Sequence, residues 1–167
     1  MPIEMFRTDI DLRKTPYDHP DTRALTALAQ AYYRDIYGGE DDSPLDAGEF
    51  SAPLGAFYVG YLGGQAIAMG GWRLHEPIPG FDAQHPAELR RMYVAPQHRR
   101  QGYSRRLLGL LEDTAHTAGA DAMVLETGRV QREAVALYRA CGYVDIPSFG
   151  HYAHEPDAVH LGKLLGA

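Results

Sequence analysis

Cysteine is nearly absent: Cys141 is the single one in 167 residues. That excludes an internal disulfide framework and a zinc site built on cysteines. Positive charge is also scarce, with 16 Lys and Arg against 22 Asp and Glu and a net charge of −6. General nucleic-acid affinity needs a dense cationic surface, so nucleic acid is not an expected partner. No apolar run approaches the roughly 20 residues that span a bilayer, and no membrane partner is expected either. Residues 1–7 lack a basic stretch followed by an apolar one, so no secretory pattern is visible. Two phosphate-loop patterns are missing as well. There is no Gly-x-x-x-x-Gly-Lys-Ser/Thr and no Gly-x-Gly-x-x-Gly in a first strand–helix turn, which argues against nucleoside triphosphatase and dinucleotide sites. The eight histidines show no metal-ligand spacing and no serine sits in a triad pattern, so no metal is expected. What remains is ordinary globular composition, 45% hydrophobic and 23% charged. The length suits one domain over residues 1–167, expected to be soluble and cytoplasmic.

Residues 5–12 alternate loosely and read as a first strand. Pro20 and Asp21 then introduce a helix with apolar positions Leu25, Leu28, Ala29, Tyr32 and Ile36, stopped by Gly38 and Gly39. Residues 39–53 carry Glu40, Asp41, Asp42, Asp46 and Glu49 among Gly and Pro, the pattern of a mobile acidic loop or a short helix, with a solvated connection as the plainer reading. Residues 55–62 and 65–74 are two β-type runs around Gly63-Gly64, which fits a tight hairpin turn. A loop at 75–86 precedes a strand at 88–94. Leu107, Leu108, Leu111, Ala115 and Ala118 mark a helix closed by Gly119, and residues 122–127 a buried strand. Ala134, Val135, Leu137, Tyr138 and Cys141 mark another helix closed by Gly142, with two final strands at 143–146 and 158–165. The order predicts an α/β (α+β) fold: a mixed sheet with helices on both faces.

The most informative stretch is residues 94–104, between a strand end and a helix start. A helix start offers unpaired backbone N–H groups and the positive end of the helix dipole, and both favour an anion such as pyrophosphate. Gly102 lets the backbone approach a phosphate where a Cβ would intrude. Arg99, Arg100, Arg105 and Arg106 add cationic side chains. The plainer alternative is the solvated start of a surface helix.

Arg99-x-x-Gly102-x-Ser104, following Glu88 to Pro96, resembles the acetyl-CoA signature of the GNAT superfamily of N-acetyltransferases. Leu125-Glu126-Thr127 followed by Gln131-x-x-Ala134-x-x-Leu137-Tyr138-x-x-x-Gly142-Tyr143 resembles that family's final helix. Two linked motifs in the right order are far more specific than either alone. Ser104 replaces the usual Gly or Ala, and Gln131 stands where Asn is common. The resemblance implies the GNAT acyl-CoA N-acyltransferase fold, with a mostly antiparallel sheet and a central splayed pair of parallel strands at 88–94 and 122–127. Acetyl-CoA is the implied co-substrate. Its pantetheine arm would pair with backbone groups at Met92 and Val94, and its phosphates would rest on Arg99, Arg100, Gln101, Gly102, Tyr103 and Ser104. Gln131 is a further candidate contact.

Transfer to an amine needs a base for the ammonium, donors for the carbonyl oxygen and a proton for the thiolate. By family analogy Tyr138 supplies that proton: a phenol with pKa near 10 can serve a thiolate near 8.5. Without the family pattern it would read as a core aromatic. Glu88 is the candidate base, with an ion pair to Arg90 as the alternative. Strand alternation puts Glu88, Arg90, Met92 and Val94 on one face and Leu89, Arg91 and Tyr93 on the other. Arg90 suits a substrate carboxylate, Glu126 is a second candidate carboxylate, and His151 lies in a loop that often borders the acceptor in this family. Cys141 reads as a small core residue.

Three functions compete: N-acetylation of a small-molecule amine, the reading adopted; acetylation of a protein lysine or N-terminus, which needs an open groove; and a non-catalytic acyl-CoA-binding regulatory domain. Arg90 points to an acceptor bearing an acid, whereas the acidic stretch would attract a polyamine. Family members are often dimers, so a homodimer is a further expectation, although no segment announces an interface.

Overall fold

In a computed structural model, which describes residues 9–166, Gly63 and Gly64 join strand β2 (Gly55–Leu62) to β3 (Gln65–Leu74). Their φ values of 57° and 81° are those of a two-residue hairpin turn whose twist matches the flanking strands. Among the described residues the sheet has seven strands in the order β1-β2-β3-β4-β5-β7-β6. The others are β1 (Asp11–Lys14), β4 (Pro86–Val94), β5 (Ala122–Gly128), β6 (Val144–Asp145) and β7 (Ala158–Leu164). Among the described residues only β4 and β5 run parallel, and every other pair is antiparallel. The expected mixed sheet is therefore present. Residues 5–8 of the expected first strand lie outside the described residues, and the strand itself extends further, to Lys14.

Three helices cover the two faces. Helix α1 (Pro20–Tyr37) starts with proline in its first turn, where a missing N–H costs nothing, and His19 Nδ1 accepts from the Asp21 amide at 3.0 Å. Its Leu25 and Ala29 pack on Phe57, Val59, Met69 and Tyr93. Leu28, expected on the same apolar stripe, is 53% exposed; Thr22 takes its place in the core, its hydroxyl bonded to the Pro16 carbonyl. Helices α2 (Tyr103–Thr117) and α3 (Arg132–Ala140) cover the opposite face. There Leu107, Leu108 and Leu111 of α2 meet Ala56, Ala68, Leu89, Leu125 and Leu161. Each wholly buried leucine contributes about 1.5–3 kcal/mol. Trp72 Nε1 donates to Thr114 Oγ1 at 3.0 Å, fixing α2 against β3. Ala118, expected on this stripe, caps the helix and is exposed.

Gly55 opens β2 where no side chain fits. A Cβ there would collide with the backbone carbonyls of Glu49 and Trp72, which cannot swing aside. Gly55→Ala is expected to cost about 1–3 kcal/mol, read as a lower denaturation midpoint in urea with an unchanged slope. An unchanged midpoint would mean that the 47–50 turn gives way freely.

Candidate active site

The site begins where the parallel strands part. Strands β4 and β5 pair only from Pro86 and Ala122 to Glu88 and Val124. Beyond Glu88 they separate, so the rest of β4 turns its β5-facing backbone groups toward open space.

Strand β4 also carries a bulge. Met69 lies opposite Tyr93 and Gly71 opposite Arg90, so Arg91 and Met92 together face the single residue Gly70. Arg91 sits at φ 58°, which costs a non-glycine residue about 1–3 kcal/mol. The extra residue overturns the simple alternation expected for this strand. Arg90 and Tyr93 face α1 together with Glu88, while Leu89, Met92 and Val94 pack on the α2 side. Arg91, expected on the far face, reaches back to Asp41 at 2.9 Å.

That contact makes residues 39–46 a roof rather than a solvated connection. Asp41 binds Arg91, the amide and hydroxyl of Ser43, and the Tyr152 hydroxyl. Its own backbone amide and carbonyl are held by the Gln30 side chain. Ser43 Oγ accepts from Arg90 at 2.8 Å, and Asp42 takes His151 Nε2 at 3.0 Å. Burial would raise the Asp41 carboxyl, but the Arg91 guanidinium and the bonds from Ser43 and Tyr152 outweigh it and hold the group below its ordinary value. A carboxyl depressed on folding stabilises above its unfolded pKa, and that gain disappears as pH falls through the folded one. Asp41→Ala leaves Arg91 buried without its partner. It is expected to lower stability at neutral pH by about 2–3 kcal/mol, a fall in Tm of about 4–12 °C for a chain of this size, with a smaller difference from wild type below pH 4. An equal difference at every pH would remove the ion pair as its cause.

Under the roof lies a cavity of about 740 Å³ that passes through the gap between β4 and β5, from Ala134 and Tyr138 of α3 to Glu88, Arg90 and Glu126 on the opposite face. Glu88 is buried and bound by Arg73 at 3.3 Å and Arg90 at 3.2 Å, with His75 Nε2 at 3.7 Å. Arg73 also holds Glu49. Glu88, the expected base, thus lines the cavity while forming the ion pair with Arg90 that was its alternative reading. Among the described residues Glu126 has no arginine partner within ion-pair distance; its Oε2 meets His160 Nε2 at 2.8 Å. Burial raises the Glu126 carboxyl above its ordinary value, and the Glu88 charge adds to this against the hydrogen bond from His160 and the charge of Arg90.

Tyr138, 7% exposed, packs edge-on against Tyr143 with ring centroids 5.7 Å apart. Burial raises its phenol, with smaller contributions from Tyr33 and Cys141. Among the described residues no protein group hydrogen-bonds its hydroxyl. Cys141 packs at the edge of the same core.

The expected phosphate loop is a short turn, Pro96–His98, followed by Arg100 at φ 62° and Gly102 at φ 85°, the residue that caps α2 without any side-chain bond. The amides of residues 100–105 find no acceptor among the described residues, and a Cβ on Gly102 would meet open space. Ser104 is half-buried, Gln101 exposed and Tyr103 buried in the core. The arginines are less free than their spacing implies. Arg99 donates to the Val94 carbonyl at 2.9 Å and stacks over Tyr32 and Tyr93. Arg100 pairs with Glu133 and Arg106 with Asp9. Gln131 turns its amide to the Tyr37 hydroxyl at 2.8 Å.

Asp41, Arg91, Tyr152 and His160 are prominent here yet were not singled out by sequence reasoning. An alternating Ala158, His160, Gly162 on the last strand was the available signal for the last of them. Among the described residues no three His, Cys, Asp or Glu side chains gather as metal ligands, and no helix is long and apolar enough to cross a membrane.

Residues 22–143 match the profile of the Acetyltransferase (GNAT) family. An IAA acetyltransferase of Azospirillum brasilense is 34% identical over 153 residues, 92% of this chain and 95% of its own. A protein of Klebsiella pneumoniae subsp. pneumoniae, described as an acyl-CoA N-acyltransferase, superposes with a TM-score of 0.77 at 27% identity over 95% of this chain and 99% of its own. A GNAT acetyltransferase of Elizabethkingia anophelis with acetyl-CoA bound shares the fold, with a TM-score of 0.63 at 16% identity over 93% and 98% of the two chains. With the parallel splay, the glycine-capped helix and the final-helix motif in place, the chain belongs to the GNAT family of acetyltransferases.

Proposed function

We propose that the enzyme moves the acetyl group of acetyl-CoA to the primary amine of a small cationic molecule, by direct attack with both substrates bound. The observation that carries this reading is the single cavity crossing the splay, with Tyr138 at one side and Glu126 at the other. Acetyl-CoA supplies a thioester there. Its phosphates suit the unpaired amides of residues 100–105 at the α2 N-terminus. Gly102 leaves them room, Ser104 adds a hydroxyl, and the exposed side chain of Gln101 borders them. Backbone groups of Met92 and Val94 offer hydrogen bonds to an extended, amide-bearing arm.

Glu126, rather than Glu88, takes the proton from the ammonium. Glu88 is occupied by two guanidinium groups, whereas Glu126 is a buried carboxylate whose pKa is shifted toward neutrality, as a general base requires. Tyr138 keeps its phenol protonated and donates it to the sulfur as the carbon–sulfur bond breaks. The nitrogen loses its second proton on becoming an amide, which balances the one gained by the thiolate.

The acceptor is inferred from charge. Arg73, Arg90 and Arg91 line the cavity, and each is paired with a carboxylate. Arg90, the expected ligand for a substrate acid, is further tied to Ser43. Glu126, Glu155 and Asp157 also line the cavity, outside those arginine pairs. Negative charge is in excess, which favours an amine over an amino acid. The roof held by Asp41 and His151 leaves less room for a peptide than for a compact amine, and the name of the Azospirillum relative fits a small acceptor.

The test is thiol release from acetyl-CoA across a panel of monoamines, diamines, amino acids, IAA and a short peptide. Turnover is expected with small amines and reduced by an added carboxylate. Turnover on the peptide alone would favour the protein-modifying reading, and acetyl-CoA binding without any turnover the regulatory one.

A further inference from the structure

Helix α1 lays its sheet-facing side across the place where β4 and β5 part. Leu25, Ala29, Tyr33 and Tyr37 follow one another at one-turn spacing and so share that side. Ala29 packs with Met69 of β3 and Tyr93 of β4. Tyr37, two turns on, reaches the end of β5, where a Cβ on Gly128 would collide with its hydroxyl. Tyr33 comes between these two points and lines the cavity that passes through the gap. Its ring is flanked by those of Tyr32 and Tyr37, with centroids 6.0 and 6.1 Å away. Tyr138 enters the same cavity from α3 on the other face, close enough to Tyr33 for the two phenols to feel each other's charge. Among the described residues neither hydroxyl has a hydrogen-bond partner.

We propose that Tyr33 is a further catalytic residue, whose hydroxyl donates a hydrogen bond to the thioester carbonyl oxygen as negative charge gathers there. The inference rests on the reading that acetyl-CoA occupies the splay with its sulfur at Tyr138. The carbonyl carbon is joined to that sulfur on one side. On the other it is attacked by the amine, whose proton acceptor, Glu126, lies on the α1 face of the sheet. A hydroxyl reaching the gap from that face is therefore placed for the carbonyl oxygen, while the phenol on the α3 face serves the sulfur. The cations on the α1 face are already committed: Arg73, Arg90 and Arg91 are each paired with a carboxylate. Burial, helped by the Asp41 charge and opposed by that of Arg91, pushes the Tyr33 phenol up to about 12, so it stays protonated and able to donate. The bond strengthens as the oxygen gains charge, which is the condition for lowering the barrier. No proton leaves the phenol, so the atoms and charges of the transfer balance as before.

The experiment compares wild type, Tyr33→Phe and Tyr138→Phe by thiol release with acetyl-CoA and the best amine of the panel. Infrared spectra of the bound thioester, labelled with carbon-13 at the carbonyl, are recorded for all three. For Tyr33→Phe, kcat is expected to fall about 100-fold, with KM for the amine and affinity for acetyl-CoA within about twofold of wild type. A hydrogen bond weakens the C=O bond, so the carbonyl band is expected at lower wavenumber in wild type and Tyr138→Phe than in Tyr33→Phe. Tyr33→Met, which also lacks the hydroxyl, replaces the phenylalanine variant if that one does not fold. An unchanged kcat and band for the Tyr33 variant overturn the proposal. A raised KM for the amine at normal kcat makes Tyr33 an acceptor contact and overturns its role at the carbonyl. A band moved by Tyr138→Phe and not by Tyr33→Phe overturns the division of roles between the phenols. Wild type that neither binds nor turns over acetyl-CoA overturns instead the reading of the splay beneath it.

Discussion

Glu126→Gln is expected to lower kcat by about 100- to 1,000-fold while leaving acetyl-CoA affinity unchanged. Glutamine matches the shape of glutamate and keeps a hydrogen-bonding partner for His160, so the change removes a proton acceptor and little else. The pH dependence makes the test sharper. Burial is the main reason the Glu126 carboxyl is raised, and its basic form is present only above that raised value. Activity of the wild type therefore falls on acidification along a limb placed above the ordinary glutamate value of about 4.3, and Glu126→Gln loses that limb together with the rate. If the limb survives in Glu126→Gln, another group is the base, and Glu88 is the first to test. Substitution of Glu88 carries a different signature, because it strips Arg73 and Arg90 of a buried partner and so registers in stability as well as in rate.

Tyr138→Phe is expected to cost about 100-fold in kcat, with unchanged acetyl-CoA binding and stability within about 0.5 kcal/mol. The ring of Tyr138 packs on Tyr143, whose own hydroxyl is anchored on Glu112 at 2.7 Å. Phenylalanine preserves that packing. The hydroxyl it removes has no protein partner among the described residues, so stability and activity separate cleanly. Burial raises the phenol, which keeps it protonated throughout the working pH range and makes it a hydrogen-bond donor to the departing sulfur. Full transfer to a thiolate is completed only as the amide nitrogen gives up its proton. Equal rates for the two proteins would return Tyr138 to the role of a core aromatic, and a large loss of stability would show a packing role in place of the chemical one.

Much of this architecture is legible in the residues. The Gly63-Gly64 turn, the helix from Pro20 to Gly38, the α2 stripe and the strand–helix order after Glu88 all follow from local rules, because turn chemistry and hydrophobic period act within a few residues. The family's two motifs placed Gly102, Ser104 and Tyr138 without any coordinates. What escaped is long-range. The bulge at Arg91 and Met92 depends on what Gly70 offers across the sheet, and one added residue moved Met92 and Val94 to the α2 face. The acidic segment 39–46 looks solvated because its partners, Arg91 and Tyr152, lie 50 and 111 residues away from Asp41 in the chain. His160 is one of eight scattered histidines until strand pairing sets it against Glu126.

The most direct measurement is a calorimetric titration of the wild-type enzyme with acetyl-CoA, followed in the same cell by the best amine of the panel. Saturable micromolar binding to one site per chain, with thiol released only after the amine arrives, is the predicted result. Either no saturable binding, or full thiol release before any amine is added, contradicts direct transfer at the splay.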